Sequence, residues 1–191
     1  MKEIYQIQIA LKRVKPKIWR RVLVPSDLLL SSFHKVIQTT MGWTNSHLHQ
    51  FIKGGKHYIK KFPDDDLWDD TYQVDYKKMK ISNLLKAEKE HINYEYDFGD
   101  GWIHQITLEK IFPVDKNVRY PYCIAGKMNC PPEDCGGPWG YENMMEILKQ
   151  PKHEEYESYL EWLGGKFDPE EFNIDEVNDR LKEKNYGCFP W

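Results

Sequence analysis

Apolar and polar residues alternate from Ile4 to Leu11, with Tyr5, Ile7, Ile9 and Leu11 on one side and Gln6 and Gln8 on the other. That is the period of a strand with one buried face. Lys15-Pro16 interrupts, and a second strand is expected from Ile18 to Val24, ending at Pro25. The period then changes. Leu29, Phe33, Val36, Ile37, Thr40 and Met41 fall on one helical stripe, Ser26 or Asp27 offers an N-cap, and Gly42 stands where a terminating glycine belongs. His34, Lys35 and Gln38 lie off the stripe and are expected to face solvent.

Two hairpins follow. Around Gly54-Gly55 a two-residue turn places Phe51 opposite Tyr58 and Ile52 opposite His57. His47, His49, Phe51, Tyr58 and Phe62 then share one face, and Leu48, Ile52 and Ile59 the other. PDDDLWDD reads as an acidic surface loop anchored by Trp68, and ISNLLKAEK as a short helix or turn that docks Leu84 and Leu85. In INYEYDFGDGWIHQITLE the loop length decides which chemistry meets. A two-residue loop pairs Asp97 with His104 but mixes Asn93 and Glu95 with Ile106 and Leu108. A three-residue loop, Gly99 to Gly101, pairs Phe98 with Trp102 and Tyr96 with His104, and leaves one face almost wholly Ile, Tyr, Phe and Trp. Because a one-residue slip reverses every side chain, the three-residue register is predicted, with His104 buried and away from Asp97.

Tyr120 to Tyr141 reads as one irregular, proline- and glycine-braced segment holding three of the four cysteines. Three short helices are expected beyond it, over Tyr141–Lys149, Glu154–Leu163 and Asp175–Lys184, and the apolar tail is expected to dock. The fold class is therefore α+β: a mainly antiparallel sheet of hairpins, one helix after strand two, and a helical C-terminal third, as a single domain over 1–191.

Composition narrows the function classes. At 191 residues with 14% aromatics the chain can bury a real core, and a net charge of −3 gives no overall attraction to nucleic acid or anionic lipid. No run approaches the ~20 apolar residues of a membrane span, and the alternating N-terminus lacks a signal core, so a cytoplasmic protein with thiols is expected. Nucleic-acid binding would have to use the local basic stretch Lys12, Arg13, Lys15, Lys17, Arg20 and Arg21 beside Trp19.

Two sets of residues carry candidate chemistry. Cys123, Cys130 and Cys135 (C-x6-C-x4-C) with His47 and His49 form a candidate zinc set, since His-x-His on a strand presents two imidazoles on one face and zinc takes N and S ligands. The spacing is wider than that of a zinc knuckle, and small buried thiols and packed histidines fit the same residues. Glu133, Asp134, Trp139, His104 and Tyr96 form a candidate pocket, because the stiff Pro131-Pro132 and flexible Gly136-Gly137 would fold the loop back against the aromatic sheet face and Trp139 must bury its ring. Asp97-Phe98-Gly99 spells a kinase metal motif, but its companion motifs are missing.

The words WRR, GW, HLHQF, YDFGDGWIH and CPPEDCGGPWGY together resemble the Ri-plasmid ORF-three-like family over nearly the whole chain. The resemblance implies a single α+β domain, and some members carry labels linking them to mobile elements or a resolvase. It brings no catalytic residues to carry over, and the chain shows neither a helix-turn-helix nor a recombinase's basic balance. Three function classes stay open: a non-catalytic binding or interaction module, which ranks first because no complete catalytic constellation is visible; a metal-dependent enzyme or structural-metal protein using the loop cysteines and strand histidines; and a mobile-element accessory protein touching nucleic acid.

Overall fold

The computed structural model describes residues 3–62, 69 and 71–190. Trp68 and the acidic residues 64–66 of the PDDDLWDD loop lie outside that set.

Eight strands form one sheet in the order β5-β4-β3-β6-β7-β1-β2-β8. They are β1 (Glu3–Leu11), β2 (Trp19–Pro25), β3 (His49–Lys53), β4 (Lys56–Ile59), β5 (Gln73–Asp75), β6 (His91–Tyr96), β7 (Trp102–Pro113) and β8 (Tyr122–Lys127). Every pairing is antiparallel except β4 with β5. The helices are α1 (Leu30–Met41), α2 (Ile81–Leu84), α3 (Gly137–Leu148), α4 (Tyr156–Trp162) and α5 (Ile174–Leu181), followed by a 3-10 turn at Lys184–Gly187. This is an α+β fold. The core lies between the sheet and α1: Ile7, Ile9, Val22 and Val24 meet Phe33, Val36 and Ile37, all fully buried. No helix among the described residues is long and apolar enough to cross a membrane.

The first helix is held without the predicted cap. Its N-cap is Leu29, with no side-chain hydrogen bond, so neither Ser26 nor Asp27 serves there. Its last turn ends at Gly42, whose φ of 103° suits glycine. Arg20 satisfies the last turn from below, its Nε donating to the Thr40 carbonyl at 2.7 Å, with Phe172 stacked under the guanidinium. A cation at that end also complements the helix dipole.

The first hairpin keeps its predicted pairing, and the second keeps its predicted faces but changes register. Gly54 and Gly55, at φ of 57° and 76°, make the two-residue turn that sets Phe51 against Tyr58 and Ile52 against His57. Between β6 and β7 the loop is longer than the predicted three residues. Tyr96 faces Trp102 and Tyr94 faces His104. The reason is Asp97, which takes a left-handed φ of 57° and uses Oδ1 to accept the Gly99 and Asp100 amides. Capping the turn in this way ends the ladder at Tyr96 and leaves Phe98 about half exposed, not paired with Trp102. A two-residue shift preserves the faces, so Ile92, Tyr94, Tyr96, Trp102, His104 and Ile106 all remain buried.

The segment 120–141 is also more regular than its composition suggests. Its first part is β8, paired along β2 and placing Cys123 in the core. Its last part is already α3, which begins at Gly137. Only the stretch between, with Cys130, Glu133, Asp134 and Cys135, is loop.

Candidate functional site

The site grows from a polar network buried at the α1 end of the sheet. His34 and Gln38, expected on the solvent face of α1, are 5% and 0% exposed. They turn inward because β3 and β6 present polar groups there. Gln38 Nε2 donates to the Tyr94 hydroxyl at 3.0 Å, and that hydroxyl meets His34 Nδ1 at 2.8 Å. The far nitrogen, His34 Nε2, meets Asn45 Oδ1 at 2.7 Å. An amide oxygen can only accept, so His34 carries its proton on Nε2 and accepts from Tyr94 on Nδ1. Asn45 completes the circuit: its amide donates to Gln38 Oε1, and its Nδ2 to the Phe189 carbonyl of the C-terminal tail. Every member is satisfied, which is the condition under which a buried network stabilises.

His49 lies flat on His34, ring centroids 3.5 Å apart and planes 3° from parallel, with its Nε2 2.7 Å from the Tyr76 hydroxyl. Stacked imidazoles of this kind must stay neutral. Burial pushes His34 down to about 4 and His49 well below the ordinary histidine value, with Lys35 further disfavouring charge on His34 and His34 further disfavouring it on His49.

Above this floor opens a cleft of about 740 Å³. His34, His47, His49 and Tyr76 line it with polar rings, Phe62, Phe98 and Phe189 with apolar ones, and Lys35, Lys60, Lys61 and Lys77 bring four ammonium groups. No carboxylate is among its described lining residues.

His104, on β7, belongs to a different environment. It is fully buried, holds the Tyr94 carbonyl with Nδ1 and meets Trp43 edge-on, and burial pushes it down to about 4. It makes no contact with Asp97. Tyr96 does meet the cysteine-loop carboxylate: Glu133 accepts from the Tyr96 and Thr44 hydroxyls and from the Thr44 amide. Of the predicted pocket set, therefore, Tyr96 and Glu133 are joined, Asp134 stands beside them on the chain, and His104 is sealed in the core. Trp139 is 83% exposed on the first turn of α3, so its ring is not packed against the sheet face. Its ring fails to bury because Gly137 and Gly140, not the tryptophan, make the loop's close approach. A Cβ on Gly137 would lie 2.3 Å from the Asp100 carbonyl, and one on Gly140 would lie 1.9 Å from the Cys135 carbonyl.

The predicted zinc set is not assembled. His47 and His49 diverge, one toward Asp97 and Asp134 and the other onto His34. Among the described residues, no three of Cys123, Cys130, Cys135, His47 and His49 bring ligand atoms within 4.8 Å, whereas His47, Asp97 and Asp134 do. Burial raises the Cys123 thiol to about 11 and Cys135 to about 12, with Cys130 higher still. All four cysteines are free thiols.

The basic stretch is dispersed as well. Arg20 is buried under α1, Arg21 pairs with Glu109 at 2.5 Å, and Lys17 bonds Gln8. Asp97 and Asn45 were missed as site residues. Their one signal in the sequence is that Asp and Asn tolerate left-handed turns, and both stand at such a φ.

An α+β fold built on one mostly antiparallel eight-stranded sheet defines the class of protein. The chain belongs to the family of plasmid pRiA4b ORF-3-like proteins, which it matches over residues 3–176. It is 36% identical, over 94% of its length and 91% of the relative's, to the uncharacterized protein y4hQ of Sinorhizobium fredii. A solved structure, that of the protein of unknown function MM3350 from Methanosarcina mazei Go1, superposes with a TM-score of 0.81 at 41% identity, covering 93% of this chain and 97% of that one.

Proposed function

We propose that this protein is a binding module whose cleft takes a small ligand with a flat apolar body and an anionic group. The observation that carries the reading is that four lysines border a histidine- and aromatic-lined cleft of about 740 Å³ in a chain of net charge −3. Such a volume lies within the range of small-molecule sites, and apolar walls with a few fixed polar groups are their usual composition. The buried histidines, being neutral, supply stacking surface and hydrogen bonds, and the lysines supply the charge. Among the described residues no nucleophile–base pair is set in the cleft, which favours binding over catalysis.

The test is a fluorescence titration with 1-anilinonaphthalene-8-sulfonate, a planar aromatic body carrying one sulfonate. Saturable one-to-one binding is expected, weakening as salt rises and falling about tenfold in Lys60→Glu/Lys77→Glu. Binding that ignores both salt and the lysine reversal would overturn the reading.

A further inference from the structure

Asp97, Asp134 and His47 come from three separate segments and meet at one point beside the cleft. Their meeting is built. The Asp97 amide donates to the Leu48 carbonyl, tying the β6–β7 turn to the entry of β3. Trp43 Nε1 holds the Pro131 carbonyl, and Glu133 clamps Thr44 and Tyr96, so the cysteine loop is fastened across the same entry. Gly137, lacking a Cβ, lets that loop pack on the backbone of Asp100. Both aspartates take a left-handed backbone, with φ of 57° and 60°.

The result is an unbalanced cluster. Asp97 is 8% exposed and spends Oδ1 on the turn amides, leaving Oδ2 3.7 Å from His47 Nε2, beyond hydrogen-bond reach. Asp134 Oδ1 is 3.1 Å from the same nitrogen. That nitrogen is shielded from solvent and makes no hydrogen bond. Among the described residues neither carboxylate has a lysine or arginine within ion-pair distance; the lone imidazole is their shared neighbour. Two carboxylates and an unbonded imidazole nitrogen, all within 4.8 Å of one another, present the donor atoms of a metal centre with positions left open.

We infer that His47, Asp97 and Asp134 bind one divalent transition-metal cation, of the Zn²⁺, Mn²⁺ or Co²⁺ class, at the rim of the cleft. The imidazole favours these ions over Ca²⁺ and Mg²⁺, which prefer an all-oxygen shell. Three side chains leave coordination positions vacant, and one of them, His47, also belongs to the cleft lining. The site is distinct from the cysteines: its ligands are nitrogen and oxygen only.

Co²⁺ tests this on the full chain after treatment with chelator, because its spectrum reports the ligand atoms. Titration is expected to saturate at one Co²⁺ per chain, giving visible d–d bands without the near-ultraviolet charge-transfer band of a thiolate. Asp134→Asn keeps the size and the left-handed tolerance of the residue, whose side chain is 69% exposed, so the variant folds. It should weaken Co²⁺ at least tenfold, as should His47→Gln, while Cys130→Ala/Cys135→Ser leaves affinity unchanged. A thiolate band, no saturation, or equal affinity in Asp134→Asn would each overturn the inference. The titration uses no cleft ligand, so its failure leaves the anion-binding reading untouched.

Discussion

The histidine corner and the cysteine loop are both buried clusters of titratable groups, yet they are wired in opposite ways. At the histidine corner every buried side-chain polar atom of His34, Gln38 and Tyr94 finds a hydrogen-bond partner, and the segments that supply them close around a cleft. The thiols find little. Cys123 reaches only a backbone carbonyl at 3.5 Å, and burial holds the others protonated. Burial neutralises both kinds of group, but only the wired set holds its side chains in fixed orientations along the wall of the cleft. A dense cluster of reactive residue types marks packing as readily as chemistry. What separates the two is whether the polar atoms are oriented by partners from other elements.

The sharpest way to break that contrast is to remove the packing beneath the histidines. Phe33 is fully buried and stacks on Phe51, whose edge meets His49. Phe33→Ala should cost about 3–5 kcal/mol in urea titration. A loss below about 1 kcal/mol would mean that the corner is not part of the cooperative core.

Per histidine, the pH dependence should be nearly as large. The folded values of His34 and His104, about 4, lie below the ordinary 6.5. Above pH 6.5 both are neutral whether folded or not, and their contribution is intact. Below it the unfolded chain takes up protons that the folded chain refuses, so stability falls as the pH drops from 6.5 toward 4, by on the order of 3 kcal/mol per histidine. A urea midpoint that stays flat across that window would contradict the neutral stack.

Two smaller effects sharpen the comparison. Tyr94→Phe strips the hydroxyl that joins Gln38 to His34 and leaves Gln38 Nε2 and His34 Nδ1 without that partner, at a cost of about 1–3 kcal/mol. Cys130→Ala removes one small group from a packed loop and should cost only about 1 kcal/mol in the same urea titration, with dye affinity unchanged. If the cysteine change proves the costlier of the two, the assignment of wiring to one region and packing to the other is reversed.

How much of this the sequence discloses depends on whether a residue's partner is close in the chain. The face pattern of Ile92 to Leu108 and the Gly54-Gly55 turn are local, and both were legible. The β6–β7 register was not, because it depends on Asp97 turning its own side chain onto the amides of its loop. His34 and Gln38 looked like surface positions because their partners, Tyr94 and Asn45, lie on other segments. The edge strand β8 was hidden for a similar reason: a short YCIAGK run becomes a strand only because β2 is there to pair with it. Likewise Trp139 looked like an anchor for want of knowing that two glycines already made the contact.

The most direct test of where function resides is an amide chemical-shift map of the ¹⁵N-labelled native protein, titrated with 1-anilinonaphthalene-8-sulfonate. The account predicts saturable shifts at Lys35, Leu48, His49, Tyr76, Lys77 and Asn185 around the cleft, with the amides of Cys123, Cys130 and Trp139 unmoved. Shifts centred on residues 130–139, with the cleft silent, would contradict it.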